Sequence, residues 1–358
     1  MGDHVGTAER LPAGLRARER NGAVPLSFAQ RRLWMLDRLE PGSAAANRFR
    51  SLRLRGAVDA SVLAGALAAL AARHEVLRTR FAAEGGEPVQ VVEPAGPVPL
   101  AEVDLRHLAA DPREAEARRL AAEVAGAPFD LAAGPPIRAT LVRLGEAEHA
   151  LFLALHRIAG DEASMEVLLR ELGAAYDALA AGGAPALPPL PLQYADVALW
   201  QRERLTGAMA ALELAWWRRR LAGAPPVLAV PTDRPAAAGR CRRSAAVWAP
   251  LPDGVGSRLR GVVEEEGATP FAGLLAAWAL LLGRYAGEDD LVLGTPVAGR
   301  PHGALEGLVG PFGGMLPLRI DLAGTPTFRE VVRRVHEAAA GALRHRELPF
   351  ERLVEALA

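Results

Sequence analysis

The spacing of apolar and polar side chains predicts strands and helices in alternation along the first half of the chain. Residues 49–54 alternate apolar side chains with arginine or serine, as a half-buried strand does. Ser27 is placed to cap a helix that runs to Leu39, and Asp59 opens an alanine-rich helix that ends at Arg73. Residues 149–155 are apolar almost throughout, which indicates a central strand buried on both faces. Further elements are predicted at 78–81, 88–92, 112–125, 137–144 and 164–179.

The second half continues this mixture after a stretch rich in glycine and proline at 182–191, which indicates a boundary between two lobes. Mixed strands and helices in both halves predict an α/β fold in two layers. We expect a flexible N-terminal lead-in (1–23), an N-terminal lobe (24–184) and a C-terminal lobe (185–358). Helices are predicted at 194–205, 212–221, 254–266, 271–284 and 328–343, and strands at 245–249, 291–295 and 316–322.

Composition narrows the function. Asp plus Glu equals Lys plus Arg, at 42 each, and every one of these cations is arginine, so we expect neither a nucleic-acid binder nor a polybasic membrane binder. The longest apolar run, 271–282, is too short to cross a bilayer and predicts a buried core helix. The N-terminus has no apolar segment typical of a secretory signal, so a cytoplasmic protein is expected. Cys241 is the only cysteine, and no cluster of His, Asp and Glu has metal-binding spacing.

Six stretches in a fixed order carry a more specific signal, and they are distributed over nearly the whole chain after the first 24 residues. As a set they resemble the core motifs of the condensation domains of nonribosomal peptide synthetases. The stretches are PLSFAQRRLWMLDRLEPGS (25–43), RHEVLRTRF (73–81), APFDLAAGPPIRATLVRL (127–144), YADVALWQ (194–201), LVLGTPVAGR with GPFGGMLPLRIDL (within 291–322), and RHRELPFERLVEAL (344–357).

This resemblance implies two chloramphenicol-acetyltransferase-like lobes in a V-shaped arrangement with a central tunnel. In the family, carrier proteins present phosphopantetheine thioesters from opposite faces, and an amine attacks a thioester to make a peptide bond. The implied partners are peptidyl or aminoacyl carrier proteins and adjacent synthetase domains, with no cofactor beyond the tethered thioesters. Family members continue past the sixth motif, so the C-terminal lobe is expected to be incomplete.

The signature of the family's active site, HHxxxDG, aligns with residues 156–162 without a gap. His156 matches the first histidine, Arg157 the second, Asp161 the aspartate and Glu162 the glycine. The family's catalytic residue is the second histidine, and arginine has no lone pair to offer at neutral pH. Losing a general base typically costs about 10²–10⁴-fold in rate, so we expect amide formation to be impaired or absent.

Each residue of the degenerate motif also has a structural interpretation. His156 ends an apolar strand, and we expect it to be a satisfied structural histidine. The resemblance implies that Asp161 braces the loop by pairing with the arginine of the second motif, for which Arg78 is the candidate. Arg157 either plugs the tunnel or is solvated at the loop edge. Glu162 is its nearest candidate counter-ion.

The fifth motif departs from the family pattern as well. The family has G-x-F-V-N-T, whereas this chain replaces the last three residues with Gly313, Gly314 and Met315, which are the candidates for lining the tunnel. Arg157, Asp161 and Glu162 together resemble the X-type domains of glycopeptide synthetases, which do not condense but recruit cytochrome P-450 oxygenases. A docking platform is therefore expected. The alternatives are an active condensation domain that relies on positioning, and an acyltransferase with a modified acceptor.

Overall fold

The chain packs into two units in a computed structural model that describes residues 11–20, 22–233, 247–300 and 302–357. Unit 1 consists of Met1–Arg204 and Ala298–Gly313, and unit 2 of Leu205–Val297 and Gly314–Ala358. The first unit extends to Arg204 and not to the predicted boundary at residue 184, because helix 194–204 contributes Tyr194 and Val197 to the core of unit 1. The limits of the two lobes stay a prediction.

A four-stranded sheet organises unit 1, with strands β2 (Asn47–Arg55), β7 (Glu148–His156), β6 (Ile137–Gly145) and β5 (Leu100–Asp104) in that order. Strand β7 is antiparallel to both of its neighbours, and β5 is parallel to β6. Every residue of β7 after the first is buried, which confirms the central strand predicted from its apolar sequence. A second sheet has the order β1 (Val24–Pro25), β4 (Glu87–Val92) and β3 (Thr79–Glu84).

Helices of unit 1 begin where the sequence supplies caps. Ser27 and Gln30 form a reciprocal capping box at the start of α1, and Asp59 accepts hydrogen bonds from the first amides of α2. One core of the unit includes residues of α2 and α4 together with β6 and β7. The helices are α1 (Phe28–Leu39), α2 (Ala60–Arg73), α3 (Ala110–Gly126), α4 (Glu162–Ala180) and α5 (Tyr194–Arg204).

The predicted flexible lead-in is wrong for the part of it that the structure describes. Leu15 is buried in the core of unit 1, and the Trp200 indole donates to the Ala13 carbonyl at 3.0 Å. Arg18 forms an ion pair with Glu203 on α5. One apolar anchor and complementary charges therefore hold this segment against α5, although its composition is typical of a linker. Residues 1–10 and 21 lie outside the described residues.

Unit 2 contains five helices and a two-stranded antiparallel sheet within the described residues. Its core joins Val263 of α7 and alanines of α8 with Ile320 of β9 and the valines of α9. The elements are α6 (Gly207–Leu221), α7 (Val255–Glu265), α8 (Pro270–Ala286), β8 (Asp290–Val297), β9 (Gly314–Asp321), α9 (Phe328–Arg344) and α10 (Phe350–Leu357).

Two predictions for unit 2 need correction. Helix α8 buries its small residues Ala272, Ala276 and Ala279, whereas the Trp278 side chain on another face is 54% exposed, so the helix is only half buried. An unbroken apolar run does not show which of its faces packs. The predicted strand at 245–249 lies partly outside the described residues, and 247–249 form no strand. In the described part of the chain, no single helix is long and apolar enough to span a membrane.

Candidate functional site

The degenerate motif lies on the loop that joins β7 to α4 in unit 1. His156 is the last residue of β7, and the Arg157 amide donates to the Ala46 carbonyl beside the start of β2. Asp161 ends the loop as the N-cap of α4. A Cβ on Gly160 would lie 2.7 Å from Leu155 Cδ2 and 2.9 Å from Ser164 Cβ, so a larger residue would force the loop to shift. The loop therefore has a defined backbone.

His156 is a buried, neutral histidine. Its side chain is 1% exposed, and burial, followed by the charge of Arg157, lowers its pKa to about 4. Nδ1 accepts a hydrogen bond from the Ile158 amide at 3.1 Å, which assigns the proton to Nε2. With its lone pair already engaged, His156 orders the loop and has no free base to offer. Its Nε2 has no partner among the described protein groups.

Arg157 stands at the second position of the motif and is exposed. Partial desolvation, followed by the charges of Arg48 and Arg32, lowers its pKa from the ordinary value of an arginine. A guanidinium nevertheless stays protonated at neutral pH. Of the two interpretations of Arg157, its exposure favours the solvated edge of the loop. It cannot act as a general base there.

Asp161 braces the loop, but its partner is Arg300 and not Arg78. The Arg300 guanidinium donates to both carboxylate oxygens of Asp161, at 2.8 and 2.9 Å. Burial alone raises the pKa of Asp161, but the hydrogen bonds and charge of Arg300, with Ser164, hold the pKa below its ordinary value. Arg78 instead donates to the carbonyls of Ala71 and Glu93.

The partner of Asp161, Arg300, belongs to one of the six stretches of the sequence, but nothing in the sequence indicates this pairing. Arg300 is the last residue of the LVLGTPVAGR stretch, and it reaches Asp161 from 139 positions further along the chain. Residues 75–78 form a 3₁₀ turn that directs Arg78 to nearby carbonyls. Order of motifs along a sequence does not show which charges meet.

Glu162 is also paired differently from the prediction. Its carboxylate forms ion pairs with Arg48, at 2.9 Å, and with Arg50. Both arginines lie on β2 with one residue between them, so they project from the same face of the sheet. Glu162 begins α4 and faces these two side chains, so it is not the counter-ion of Arg157.

Residues of the fifth motif contact the same loop. The Gly313 amide donates to Asp161 at 3.1 Å, and the Ser164 hydroxyl donates to the Gly310 carbonyl at 2.9 Å. A Cβ on Gly310 would fall 2.0 Å from the Tyr194 ring, so a larger residue does not fit. Gly314 and Met315 belong to β9, and the role of the 313–315 segment in lining a tunnel stays a prediction.

The chemistry of the site follows from these contacts. It holds a neutral histidine whose lone pair is occupied, a carboxylate fixed by Arg300, and an exposed arginine. Within the described residues, no group of His, Cys, Asp and Glu is arranged to hold a metal ion. The arrangement suits the binding of anions and the maintenance of a rigid loop, and neither His156 nor Arg157 has a free lone pair that could accept a proton.

Comparison with known sequences identifies relatives of the whole chain. The family profile described as "Condensation domain" matches residues 20–358. One of the linear gramicidin synthase proteins of Brevibacillus parabrevis is 46% identical over 94% of this chain, which spans 4% of that protein. Phosphinothricin tripeptide synthetase PhsB of Streptomyces viridochromogenes is 44% identical over 94% of this chain, which spans 28% of that protein. The chain thus corresponds to one part of much longer synthetases.

Solved structures resemble the chain over almost its full length. The X-domain in a complex of the X-domain and OxyB from teicoplanin biosynthesis has 39% identity and a TM-score of 0.89, covering 98% of this chain and 76% of that one. SgcC5 from Streptomyces globisporus has 32% identity and a TM-score of 0.75, covering 93% and 76%. The predicted α/β fold of the condensation type is confirmed.

Proposed function

The chain belongs to the condensation-domain family of nonribosomal peptide synthetases, and we propose that it acts as a docking platform with impaired or absent amide formation. The platform recruits a tailoring enzyme, of the cytochrome P-450 oxygenase class, to a peptide held on a carrier protein. The ligand it accommodates is then a phosphopantetheine thioester, which the adjacent synthetase domains supply.

One observation carries this proposal: the residue in place of the family's catalytic histidine is an exposed arginine. Deprotonation of the attacking amine needs a lone pair close to the thioester, and a guanidinium has none. His156 does not substitute for it, because its side chain is buried and Nδ1 already accepts from Ile158. The loop therefore lacks the proton acceptor on which the family's chemistry depends.

The frame around the lost histidine supports a retained binding role. Asp161, Arg300 and Ser164 form one hydrogen-bonded network that joins the loop to residues 298–313. This largely buried charge pair holds the loop in one conformation, as a binding surface requires. The similarity to the teicoplanin X-domain, whose structure contains OxyB, supports an oxygenase as the recruited partner.

An assay of amide formation tests the loss of catalysis. Donor and acceptor carrier proteins are loaded with aminoacyl-phosphopantetheine, the chain is added, and the tethered products are followed by mass spectrometry. We expect no product above the reaction without the chain, both for the wild type and for Arg157→Ala. Arg118→Ala is the matched control, because it removes an exposed arginine far from the loop. Arg118 lies on α3, which packs on the face of the four-stranded sheet opposite to α4. Robust product that falls only on Arg157→Ala overturns the proposal in favour of an active condensation domain.

A binding assay tests recruitment. The immobilised chain is exposed to each oxygenase encoded with the synthetase, with and without a loaded carrier protein, and retention is measured by surface plasmon resonance. We expect saturable binding of one oxygenase to the folded chain. If none of the oxygenases binds, the recruitment part of the proposal is removed. In the assay of amide formation, acyl transfer to an acceptor other than an amine favours the modified acyltransferase.

A further inference from the structure

Three arginines of unit 1 come together beside the loop. Arg48 and Arg50 project from the same face of β2, and the register of β2 against β7 pairs Asn47 with His156. Arg157 follows His156 directly, so its backbone is adjacent to the N-terminal end of β2, where its amide meets the Ala46 carbonyl. The three arginines therefore lie on adjacent segments of backbone, Arg48 and Arg50 on β2 and Arg157 directly after β7.

The carboxylates within reach do not balance these charges. Glu162 alone pairs with both Arg48 and Arg50, so two cations share one anion. Asp161 is engaged by Arg300 through two hydrogen bonds. Among the described residues, no carboxylate pairs with the Arg157 guanidinium.

Two further observations support a site for an anion. The Arg48 Nε is buried and has no hydrogen-bond partner within the described protein, although buried donors are normally satisfied. Arg157 is repelled by other cations: after partial desolvation, the charges of Arg48 and Arg32 are what lower its pKa. Like charges that outnumber the carboxylates beside them, as Arg48, Arg50 and Arg157 outnumber Glu162, cost free energy, and such arrangements are typical of sites that bind an opposite charge.

We propose that Arg157 and Arg48, in the field of Arg50 and Arg32, form an oxyanion-binding site for a phosphate or carboxylate group. The planar guanidinium fork matches both groups through two parallel hydrogen bonds, and the exposure of Arg157 leaves the site open to a ligand. Replacement of a histidine by arginine here exchanges a titratable base for a permanent anion receptor. This site does not depend on the recruitment of an oxygenase.

Calorimetric titration of the 358-residue chain with inorganic phosphate at low salt tests the site. We expect saturable binding that weakens as the ionic strength rises. Arg157→Ala and Arg48→Ala should each weaken it about ten-fold or more, the loss of one hydrogen bond between charged groups. Arg157→Lys should retain part of the affinity, because it keeps the charge and loses the fork. Arg118→Ala, which also removes one positive charge, should bind as the wild type does.

Paired probes distinguish the source of the anion. 4′-Phosphopantetheine is compared with pantetheine, which lacks the phosphate, and an acetylated aspartate amide with its asparagine counterpart. If 4′-phosphopantetheine binds about ten-fold more tightly than pantetheine, the ligand is the phosphate of the prosthetic group. If the aspartate compound binds about ten-fold more tightly than the asparagine compound, the ligand is a carboxylate side chain of the substrate. Affinity for phosphate that is unchanged in both Arg157→Ala and Arg48→Ala, or lowered equally by Arg118→Ala, overturns the site. These outcomes are independent of the oxygenase assay.

Discussion

The pH dependence of stability is the sharpest consequence of the buried His156. Its pKa is about 4 in the folded chain, against 6.5 in an unfolded one. Between these values the unfolded chain binds a proton that the folded chain refuses, so stability is lost as the pH falls through this window. Each pKa unit corresponds to about 1.4 kcal/mol, so lowering the pH from 7.5 to 5 should cost about 2 kcal/mol from this residue alone.

The measurement is urea denaturation at pH 7.5, 6.5, 5.5 and 5.0. Unfolding is monitored by hydrogen exchange of peptides from β7, so that unit 1 is observed on its own. Stopping at pH 5 keeps carboxylates with lowered pKa values, such as Asp161, ionised throughout. His156→Asn is the test variant, since its side-chain oxygen retains an acceptor for the Ile158 amide. His107→Asn is the matched control, because His107 is exposed.

The expected result is that the free energy of unfolding falls more steeply with decreasing pH in the wild type than in His156→Asn. The wild type and His107→Asn should lose about 2 kcal/mol more than His156→Asn between pH 7.5 and pH 5. His156→Asn should be less stable than the wild type at pH 7.5, because the smaller side chain leaves a cavity. If the wild type and His156→Asn lose stability in parallel over this range, the argument that His156 is held neutral by burial is refuted.

Individual contacts around the loop lead to three further predictions. Asp161→Asn should lower the free energy of unfolding of unit 1 by about 3 kcal/mol, because it leaves the buried Arg300 uncompensated. Gly310→Ala should cost about 1–3 kcal/mol, because its Cβ overlaps the Tyr194 ring. Glu162→Gln should change stability by less than about 1 kcal/mol, because the carboxylate is 53% exposed, yet raise the affinity for phosphate several-fold.

Each of these predictions has its own control. In a double-mutant cycle read by urea denaturation, Asp161→Asn should couple to Arg300→Ala and add simply to Arg78→Ala. If the effects of Asp161→Asn and Arg300→Ala on the free energy of unfolding were additive, the pair would not brace the loop. Gly307→Ala, on the same segment and without a close contact, should be milder than Gly310→Ala in the same assay. Calorimetry checks Glu162→Gln, and unchanged phosphate affinity would contradict its place beside the anion site.

Local features of the fold were predictable because they depend on neighbours in sequence. The caps at Ser27 and Asp59 and the central strand 148–156 agree with the sequence patterns, since capping and strand burial act within a few residues. The short strand Leu100–Asp104 cannot be recognised from the sequence, because its mixed polarity has no clear period. The burial of Leu15 cannot be recognised either, since composition does not show what a segment packs against.

The candidate site divides in the same way. The amino-acid sequence by itself determined that position 157 carries a permanent cation in place of a histidine, because the chemistry of a side chain belongs to its residue type. Only the tertiary structure decided that Arg300 pairs with Asp161, that Glu162 pairs with Arg48 and Arg50, and that Arg157 is exposed. Partners so distant in sequence are selected by the packing of β2, α4 and residues 298–313, and no local pattern records that packing.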